Sequence, residues 1–265
     1  MASTNTPPST SADPAKALAE KLQQQEYLRE RIEPKRTDIE YLVHQDLRDV
    51  ITLLCRDLNG RLLDYGCGGS PYATILPQFS SYVRADITVA PGIDLVLDER
   101  GELPAEPDGS FDVVLSTQVL EHVPDPDKYL AEAFRLLRPG GALVLTTHGF
   151  VPEHGCPHDY HRWTGYGLER VVGQAGFVVE ESYKTTATLR ASVYLLHFSI
   201  LYQLSWPTGV LLNHLLFHFR RFYRRLLMGP LNHLGGLATH HSRVSSHSDE
   251  HKLYVGVALR ARKPQ

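Results

Sequence analysis

The sequence predicts an α/β fold in which a doubly wound parallel sheet is covered by helices on both faces. Short apolar runs suited to buried parallel strands recur along the chain. Segments with helical periodicity lie between several of these runs. One strand leads directly into a glycine turn, with the sequence LLDYGCGGSPY at 62–72. Open α/β sheets bind ligands at turns of this kind, so the fold class also indicates a ligand site.

The composition limits the class of protein. The chain has 265 residues, of which 42% are hydrophobic and 22% charged, enough for one large core with appendages. A net charge of -3 gives no general attraction to nucleic acid, so no nucleic-acid partner is expected. Cys55, Cys67 and Cys156 have no paired spacing, which favours a reducing compartment such as the cytoplasm. Residues 1–13 are polar and proline-rich and predict a disordered tail without a secretory signal.

Two helices are predicted before the glycine turn, in a unit that spans residues 14–58. The first covers Pro14–Arg31 and the second Asp38–Leu58. Thr37 and Glu40 have the spacing of a capping box for the second helix, and apolar residues recur on one of its faces. We expect this helix to lie against the sheet edge or over a bound cofactor.

The sheet is predicted to occupy residues 59–185, with its final strand in 251–265. Two helices in this core are well marked, one capped by Asp125 with Pro126 at its first position and one over Thr164–Ala175. Other helices are expected in the remaining gaps. The predicted strands lie near Arg61–Tyr65, Tyr82–Asp86, Asp94–Leu97, Asp112–Ser116, Ala142–Thr147, Phe177–Tyr183 and Lys252–Arg260.

The glycine turn distinguishes between nucleotide cofactors. A dinucleotide fingerprint requires a third glycine where this chain has Pro71, which argues against an NAD-linked oxidoreductase. Pro71 is instead suited to open the next helix. The pattern resembles motif I of the class I S-adenosylmethionine (SAM)-dependent methyltransferases, matched at Asp64, Gly66 and Gly68, with Ser70 in place of the last glycine.

Two further carboxylates follow the turn at strand ends. Asp86 lies 20 residues beyond Gly66 and can accept hydrogen bonds from both hydroxyls of an adenosine ribose, although an aspartate here can also cap a helix. Asp98 ends the third strand and can accept from the adenine amino group, or it can be a solvated loop acid.

The segment FDVVLSTQVLEHVPDPDKYLAEAFRLLRPGG at 111–141 extends the resemblance. It resembles methyltransferases of the type that includes small-molecule and quinone-methylating enzymes, in which a strand is followed by a Leu-Glu-His turn, here Leu120–His122. The resemblance covers about Gly60–Tyr183 and implies a seven-stranded Rossmann-like sheet with an antiparallel last strand. We interpret Glu121 and His122 as a pair that braces the loop. The expected SAM-binding residues are Asp64, Gly66, Cys67, Gly68, Asp86, Ile87, Asp98, Thr117 and Gln118.

The loop after the fifth strand is the predicted acceptor site. Its His-Asp-Tyr sequence resembles loops in a bacterial subgroup associated with glycan and cell-envelope pathways. A hydroxyl acceptor must lose a proton, and a histidine steadied by a carboxylate suits that role. The candidate catalytic residues are therefore His158, Asp159 and His161. Tyr160 and Trp163 offer aromatic faces to a sugar or to the sulfonium charge.

Two alternatives for this loop stay open. His154, Cys156, His158 and His161 could bind a metal ion, but their spacing fits no familiar zinc pattern and no metal is predicted. Alternatively, His158, Asp159 and Arg162 could hold the loop onto the sheet by hydrogen bonds.

An apolar helical insertion is predicted before the last strand, within residues 186–250. No residue from Ala191 to Phe219 is formally charged, and four arginines follow by position 225. Trp206–Gly209 would break the segment into two helices, and the first, Ala191–Ser205, would be about 22 Å long, too short to span a hydrocarbon core of about 30 Å. Residues 191–227 could form a peripheral membrane contact, a lid over the acceptor pocket or a homodimer interface. Gly235–Asp249 is expected to be a mobile loop.

These patterns together predict a SAM-dependent methyltransferase. Transfer to oxygen on a glycan or lipid-linked intermediate is the favoured reaction. The alternatives are methylation of a small molecule such as a quinone or secondary metabolite, and a non-catalytic, membrane-associated scaffold that binds SAM. The expected location is the cytoplasm, at the inner face of the membrane if the insertion contacts lipid.

Overall fold

A mixed sheet of eight strands forms the centre of the protein. This computed structural model describes residues 14–98, 100–155, 158–201, 217–237, 244–246 and 251–265. The strands are β1 (Gly60–Tyr65), β2 (Phe79–Asp86), β3 (Leu95–Val96), β4 (Phe111–Thr117), β5 (Leu137–His148), β6 (Val178–Ala187), β7 (Val244–Ser246) and β8 (Tyr254–Arg262). Their spatial order is β3-β2-β1-β4-β5-β8-β6-β7.

The strand directions confirm the predicted doubly wound topology. β1 pairs in parallel with β2 and β4, and parallel pairing continues to β3 on one side and β5 on the other. The last strand, β8, is antiparallel to both β5 and β6, as the family resemblance implied. The chain changes direction across the sheet between β1 and β4, which is where open α/β sheets bind ligands. Strand β7 pairs with β6 inside the segment expected to be a mobile loop, so that prediction is wrong for Val244–Ser246.

Helices cover both faces of the sheet, and α-helical bounds are defined for six of them. They are α1 (Pro14–Ile32), α2 (Tyr41–Cys55), α3 (Pro126–Leu136), α4 (Gly165–Gln174), α5 (Leu189–Leu201) and α6 (Met228–Gly236). The cap of α3 is as predicted, because Asp125 accepts from the Lys128 amide. Helix α4 is capped by Thr164, whose side chain accepts from the Gly167 amide. The predicted capping box of α2 is wrong. Glu40 itself occupies the cap position, without a side-chain capping bond.

The first crossovers contain less helix than predicted. Pro71 opens only a 3₁₀ turn, Pro71–Ile75, and residues 87–94 between β2 and β3 contain no helix. Helix α2 packs its apolar side against one face of the sheet, next to Leu62, Val113 and Val144. Helices α3 and α4 cover the opposite face. The N-terminal helices therefore occupy part of the layer that crossover helices cover in a regular doubly wound fold.

The insertion is joined to the core by a buried ion pair. Arg190, at the start of α5, is fully buried and makes two hydrogen bonds to Asp46 of α2, of 2.8 and 2.7 Å. Helical residues 217–222, a π-helical turn (Tyr223–Leu227) and α6 form the second part of the insertion. None of the described helices is both long and apolar enough to span a bilayer. The predicted break at Trp206–Gly209 lies outside the described residues.

Candidate active site

The glycine turn after β1 is fixed to the neighbouring strand through its backbone. The amides of Gly66 and Cys67 both donate to the Ala85 carbonyl, at 2.9 and 3.0 Å. Gly66 and Gly68 have φ values of +79° and +50°, which glycine adopts without a steric penalty. Ser70, which replaces the last motif glycine, has a φ of +48°. The serine thus keeps the left-handed backbone that the motif position requires.

Asp64 is a buried carboxylate beneath this turn. Its Oδ2 accepts hydrogen bonds from the Tyr82 hydroxyl at 2.8 Å and from Ser70 Oγ at 3.0 Å. Its Oδ1 is buried and has no hydrogen-bond partner among the described residues. Burial raises the pKa of Asp64 to about 6, although the two hydrogen bonds oppose this shift. A buried acceptor without a donor is costly, so a ligand N–H at Oδ1 would stabilise the site.

Asp86 connects the glycine turn to the loop after β2. One carboxylate oxygen accepts from the Gly68 amide at 2.8 Å and the other from the Thr88 amide at 3.0 Å. The side chain therefore does not cap a helix. A cavity of about 920 Å³ opens beside it and is also lined by Gly68 and Gly69. Ile87, the next predicted cofactor residue, is 62% exposed.

Helix α1 lies over the glycine turn and lines the same cavity. A side chain on Gly69 would place its Cβ 2.6 Å from the ring of Tyr27 and 2.8 Å from the amide nitrogen of Gln24. Glycine at position 69 thus allows the close approach of α1, and a larger residue would displace the side chains of Gln24 and Tyr27. Cys67 is buried beside these glycines, and burial raises the pKa of its thiol to about 12, so this thiol has a packing role.

The other predicted cofactor residues lie apart from this cavity. Asp98 accepts from the amides of Arg100 and Glu102, so its carboxylate shapes its own loop. Thr117 is half-buried at the end of β4. Gln118 has a φ of +55°, and both its amide and its side chain donate to Thr146 on β5. The structure therefore gathers Asp64, Gly66–Gly68 and Asp86 around one turn. Asp98, Thr117 and Gln118 lie at the ends of other strands and do not line the cavity beside that turn.

A second cluster forms where β4 and β5 end. Glu121 is fully buried, and its Oε2 accepts from Thr147 Oγ1 at 2.8 Å. Its Oε1 lies 3.2 Å from Nδ1 of His148, the last residue of β5. The Glu121 carbonyl accepts from the amides of Tyr160 and His161, which attaches the acceptor loop to this point. The side chain and backbone of Glu121 thus link two strand ends and the loop.

Burial moves both members of the Glu121–His148 pair towards their neutral forms. It raises the pKa of Glu121 above its ordinary value. It lowers the pKa of His148 to about 3, helped by His154 and Arg162. The His154 ring lies 4.8 Å from the His148 ring and 5.2 Å from that of His122. His148 is therefore an unprotonated imidazole at neutral pH, in a group of three histidine rings.

The predicted catalytic residues are placed differently from expectation. Asp159 pairs with the Arg162 guanidinium and accepts from the His154 amide at 2.9 Å. The Arg162 hydrogen bonds lower the pKa of Asp159. His158 is exposed, and its carbonyl accepts from His122 Nδ1 at 2.6 Å. His161 donates from Nε2 to the Val123 carbonyl at 3.1 Å. Among the described contacts, the expected pairing of Asp159 with His158 or His161 does not form.

The Asp159–Arg162 pair braces the loop, in line with the structural alternative. Arg162 also donates to the carbonyls of Val151 and Pro152. Tyr160 is exposed, whereas Trp163 packs onto the core and its amide donates to the His148 carbonyl. Within the described residues, no three His, Cys, Asp or Glu side chains are grouped as a metal site requires. Cys156 lies outside the described residues.

Sequence reasoning did not select His148 or the Glu40–His44 pair, and it considered His154 only as a metal ligand. His44 Nε2 lies 3.2 Å from Glu40 Oε2 at the start of α2. A signal for His148 was available, because it directly follows the predicted fifth strand, at the edge where such sheets bind ligands. No local pattern indicated that Glu121 would meet His148.

A family comparison covers both clusters. A family model described as a methyltransferase domain matches residues 39–182, the segment from α2 to β6 that contains the glycine turn and the Glu121–His148 pair. The chain belongs to this methyltransferase family. Its fold is the class I methyltransferase fold with SAM as the cofactor of the family, which argues against an NAD-linked oxidoreductase.

Individual relatives agree with this assignment over part of their length. A ubiquinone biosynthesis O-methyltransferase from Xanthomonas oryzae pv. oryzae is 38% identical over 112 residues, which cover 36% of this chain and 46% of that protein. A probable SAM-dependent methyltransferase from Mycolicibacterium smegmatis is 32% identical over 137 residues, which cover 46% of this chain and 53% of that protein. The chain thus spans about half the length of these curated relatives.

Solved structures share the fold at low sequence identity. The [4+2]-cyclase SpnF aligns with a TM-score of 0.51 and 19% identity, over 83% of this chain and 81% of that one. A possible histamine N-methyltransferase from Thermotoga maritima aligns with a TM-score of 0.50 and 17% identity, over 84% of this chain and 92% of that one. At these identities the likeness shows the fold alone.

The residues at the β1–β2 edge fit SAM. Gly68 and Gly69 line the adjoining cavity, and the free Oδ1 of Asp64 can accept from an ammonium group. Asp86 lines the adjoining cavity with the carboxylate expected for ribose hydroxyls. SAM supplies a methyl group on a positively charged sulfonium, which makes that methyl electrophilic.

Proposed function

We propose that this methyltransferase methylates a hydroxyl oxygen of an acceptor bound over the carboxyl ends of β4 and β5. The observation that carries the proposal is the buried Glu121–His148 pair, with 3.2 Å between Oε1 and Nδ1. An oxygen acceptor has a proton to lose, and a positioned imidazole is the side chain that most often accepts one. The ubiquinone biosynthesis O-methyltransferase relatives support transfer to oxygen.

In this proposal His148 receives the proton of the acceptor hydroxyl at Nε2. Its Nδ1 lies 3.2 Å from Oε1 of Glu121. Both atoms are buried, and neither has a hydrogen-bond partner among the described residues, so Glu121 is positioned to orient the ring once the two groups align. Burial lowers the pKa of His148, so the ring is unprotonated at neutral pH, and the Glu121 carboxyl has to raise the basicity of the ring when the acceptor is bound. Glu121 can stabilise the imidazolium as it forms, because its carboxyl oxygen lies within hydrogen-bonding reach of the ring. The new oxygen–methyl bond would form as the sulfur–methyl bond breaks, with that electron pair left on the sulfur, while the proton moves from the same oxygen to His148.

This assignment changes the candidate base without changing the reaction class. His158, Asp159 and His161 remain the alternative catalytic set expected from the sequence. Their contacts support a loop-bracing role more than a catalytic one, because Asp159 is neutralised by Arg162 and His161 donates to a backbone carbonyl. A positioned base is expected to contribute about 100- to 10,000-fold to the rate, so variants can separate the two sets.

The acceptor class has two candidates, a small aromatic molecule such as a quinone precursor and a lipid-linked glycan. Both carry hydroxyl groups. The named relatives favour the aromatic molecule, and the apolar insertion favours an acceptor with a lipid chain. A cytoplasmic location is supported by the free thiols of Cys55 and Cys67.

The proposal is tested by product analysis with methyl-labelled SAM. The full chain is incubated with three acceptors: a catechol, a polyprenylated phenol, and a sugar linked to a polyprenyl phosphate. We expect label on a hydroxyl oxygen of at least one of them and no transfer to the matching methyl ether, which lacks the proton. Label on nitrogen, carbon or sulfur of an acceptor that also offers a hydroxyl would contradict transfer to oxygen.

A further inference from the structure

The second part of the insertion is held in one orientation by buried polar contacts. We call residues 217–236 the basic helix. Tyr223, on its inner side, bonds His197 of α5 at 2.6 Å, and Asn232 bonds the other nitrogen of the same histidine at 3.0 Å. Asn232 also donates to the carbonyls of Arg36 and Asp38, before α2. The inner side of the basic helix is therefore already occupied by protein.

The outer side of the basic helix exposes large apolar side chains. Phe219, Phe222 and Leu226 follow one another at spacings of three and four residues and are 42%, 49% and 58% exposed. Such spacing places side chains on neighbouring positions of a helix surface. Phe217, Leu227, Leu234 and Leu237 are exposed as well. Exposed apolar groups in this concentration mark an interaction surface.

The same surface is strongly basic. Arg221, Arg224 and Arg225 are exposed among the apolar side chains. The sequence from 182 to 248 contains seven Lys and Arg residues and no Asp or Glu, in a chain whose net charge is -3. A second copy docking through this face would bring arginines against arginines, which is unfavourable. Aromatic and leucine side chains beside arginines instead suit an anionic lipid surface.

The insertion also adjoins the acceptor edge. His148 on β5 and Thr185 on β6 both pair with Gly256 of β8, so these strand ends lie about 10 Å apart. Helix α5 begins just beyond that end of β6. Its Ala191 and Tyr194 pack with Val151 of the acceptor loop and Val43 of α2. A membrane surface that binds the insertion would thus lie next to the acceptor loop, which forms part of the proposed acceptor site.

From these observations we infer that the basic helix docks on an anionic membrane surface and that the methyl acceptor is an amphiphile drawn from that membrane. This inference rests on the proposed function, because it names the acceptor class of the same site. The apolar side chains enter the headgroup boundary while the arginines contact lipid phosphates. The described surface is sufficient for this peripheral contact without a membrane-spanning helix.

The test is flotation of the full chain with vesicles, compared among matched variants. The vesicles contain phosphatidylcholine alone or phosphatidylcholine mixed with phosphatidylglycerol, at low and at high salt. One variant carries Arg221→Glu, Arg224→Glu and Arg225→Glu, and a second carries Phe222→Ser and Leu226→Ser. The controls are Arg170→Glu, on an exposed site of α4, and Leu18→Ser with Leu22→Ser on α1. Thermal unfolding of each variant verifies folding.

We expect the wild type and both controls to float with the anionic vesicles, less so at high salt, because surface charges are screened. Each arginine near an anionic surface contributes about fivefold to partitioning, so reversal of three charges is expected to weaken binding by at least about 100-fold. Loss of the apolar pair should also release the protein. Folded variants that float like the wild type would overturn the inference, and so would failure of the wild type to float.

Two further readouts separate this inference from the proposed function. Methylation of a water-soluble hydroxyl acceptor is expected to be unchanged in both variants, whereas methylation of a vesicle-borne acceptor should fall with binding. If hydroxyl methylation itself fails in the wild type while flotation holds, the proposed function is at fault and membrane docking stands. A third outcome would assign the surface to a second copy of the chain. In that outcome the wild type does not float but forms a concentration-dependent dimer, and both variants abolish the dimer.

Discussion

The cofactor edge and the acceptor edge of this protein lie on the same side of the sheet but are built in different ways. At the cofactor edge, Asp64, Gly66, Gly68 and Ser70 fall within one short segment, and Asp86 completes the turn from the adjacent strand. At the acceptor edge, Glu121 meets Thr147 and His148 from another strand end, and the loop's amides bond back to Glu121. The first site uses mainly local contacts and backbone, and the second depends on long-range packing of side chains.

This difference has a functional consequence. The cofactor edge presents backbone amides and the carboxyl groups of Asp64 and Asp86, which suit SAM. The acceptor edge presents a buried carboxyl–imidazole pair and a loop, which can vary with the acceptor. Changes at the first edge are therefore expected to act on SAM affinity, and changes at the second on turnover.

The largest effect is expected for Glu121→Gln at the acceptor edge. The substitution keeps the size of the side chain but replaces the Oε1 or Oε2 acceptor with an amide nitrogen, so His148 loses its orienting carboxyl. Turnover at saturating SAM should fall by about 1,000-fold, within the range attributed to general acid–base groups. SAM affinity, measured by calorimetry, should not change. Glu153→Gln in the acceptor loop is the control at an exposed position. An equal loss of turnover in that variant would contradict a specific role of Glu121.

The next effect is expected for Asp86→Ala at the cofactor edge. The carboxylate organises Gly68 and Thr88 and is the expected acceptor for the ribose hydroxyls. Loss of charge-assisted hydrogen bonds should weaken SAM binding by about 100-fold. Turnover at saturating SAM should be retained. The control is Asp94→Asn, whose carboxylate bonds the Arg84 backbone. If Asp86→Ala instead has normal SAM affinity and poor turnover, the cofactor edge does not act through SAM affinity as proposed.

A smaller effect is expected for the pH dependence of stability through Asp64. Its folded pKa of about 6 is raised above the unfolded value, so its contribution is fully present below the unfolded pKa and is lost as pH rises through 6. Asp64→Asn cannot ionise. The variant should therefore gain about 2 kcal/mol relative to the wild type between about pH 4 and pH 7, as measured by urea unfolding. If the free energy of unfolding of Asp64→Asn relative to the wild type is the same at pH 4 and pH 7, Asp64 is not desolvated as described.

The glycine turn and the two carboxylates beside it could be predicted from the sequence because their signals are local. Glycines that need positive φ, an acid before them and a carboxylate at the next strand end can all be recognised from spacing, and the family match confirms the methyltransferase assignment. The topology was predictable for the same reason, since apolar runs and the family resemblance gave the seven strands and the antiparallel β8. The short strand β7 carries no apolar run and was missed.

The acceptor edge was predicted less well because its partners are distant in sequence. The His158–His161 segment contains the right residue types next to one another, and this proximity suggested a catalytic group. In the structure, the Asp159 carboxylate pairs with the Arg162 guanidinium, and His158 is exposed. Glu121 instead finds His148 across two strand ends. The capping box of α2 failed similarly, because Glu40 interacts with His44 rather than with the helix N-terminus.

The most direct test compares two sets of histidines in methyl transfer to a hydroxyl acceptor at saturating SAM. One enzyme carries His148→Gln and the other carries His158→Ala together with His161→Ala. We predict that the first lowers turnover by at least about 100-fold and that the second stays within about threefold of the wild type, with SAM affinity unchanged in both. Full turnover in His148→Gln, with the 100-fold loss in the double variant, would contradict the assignment of the acceptor edge to the Glu121–His148 pair.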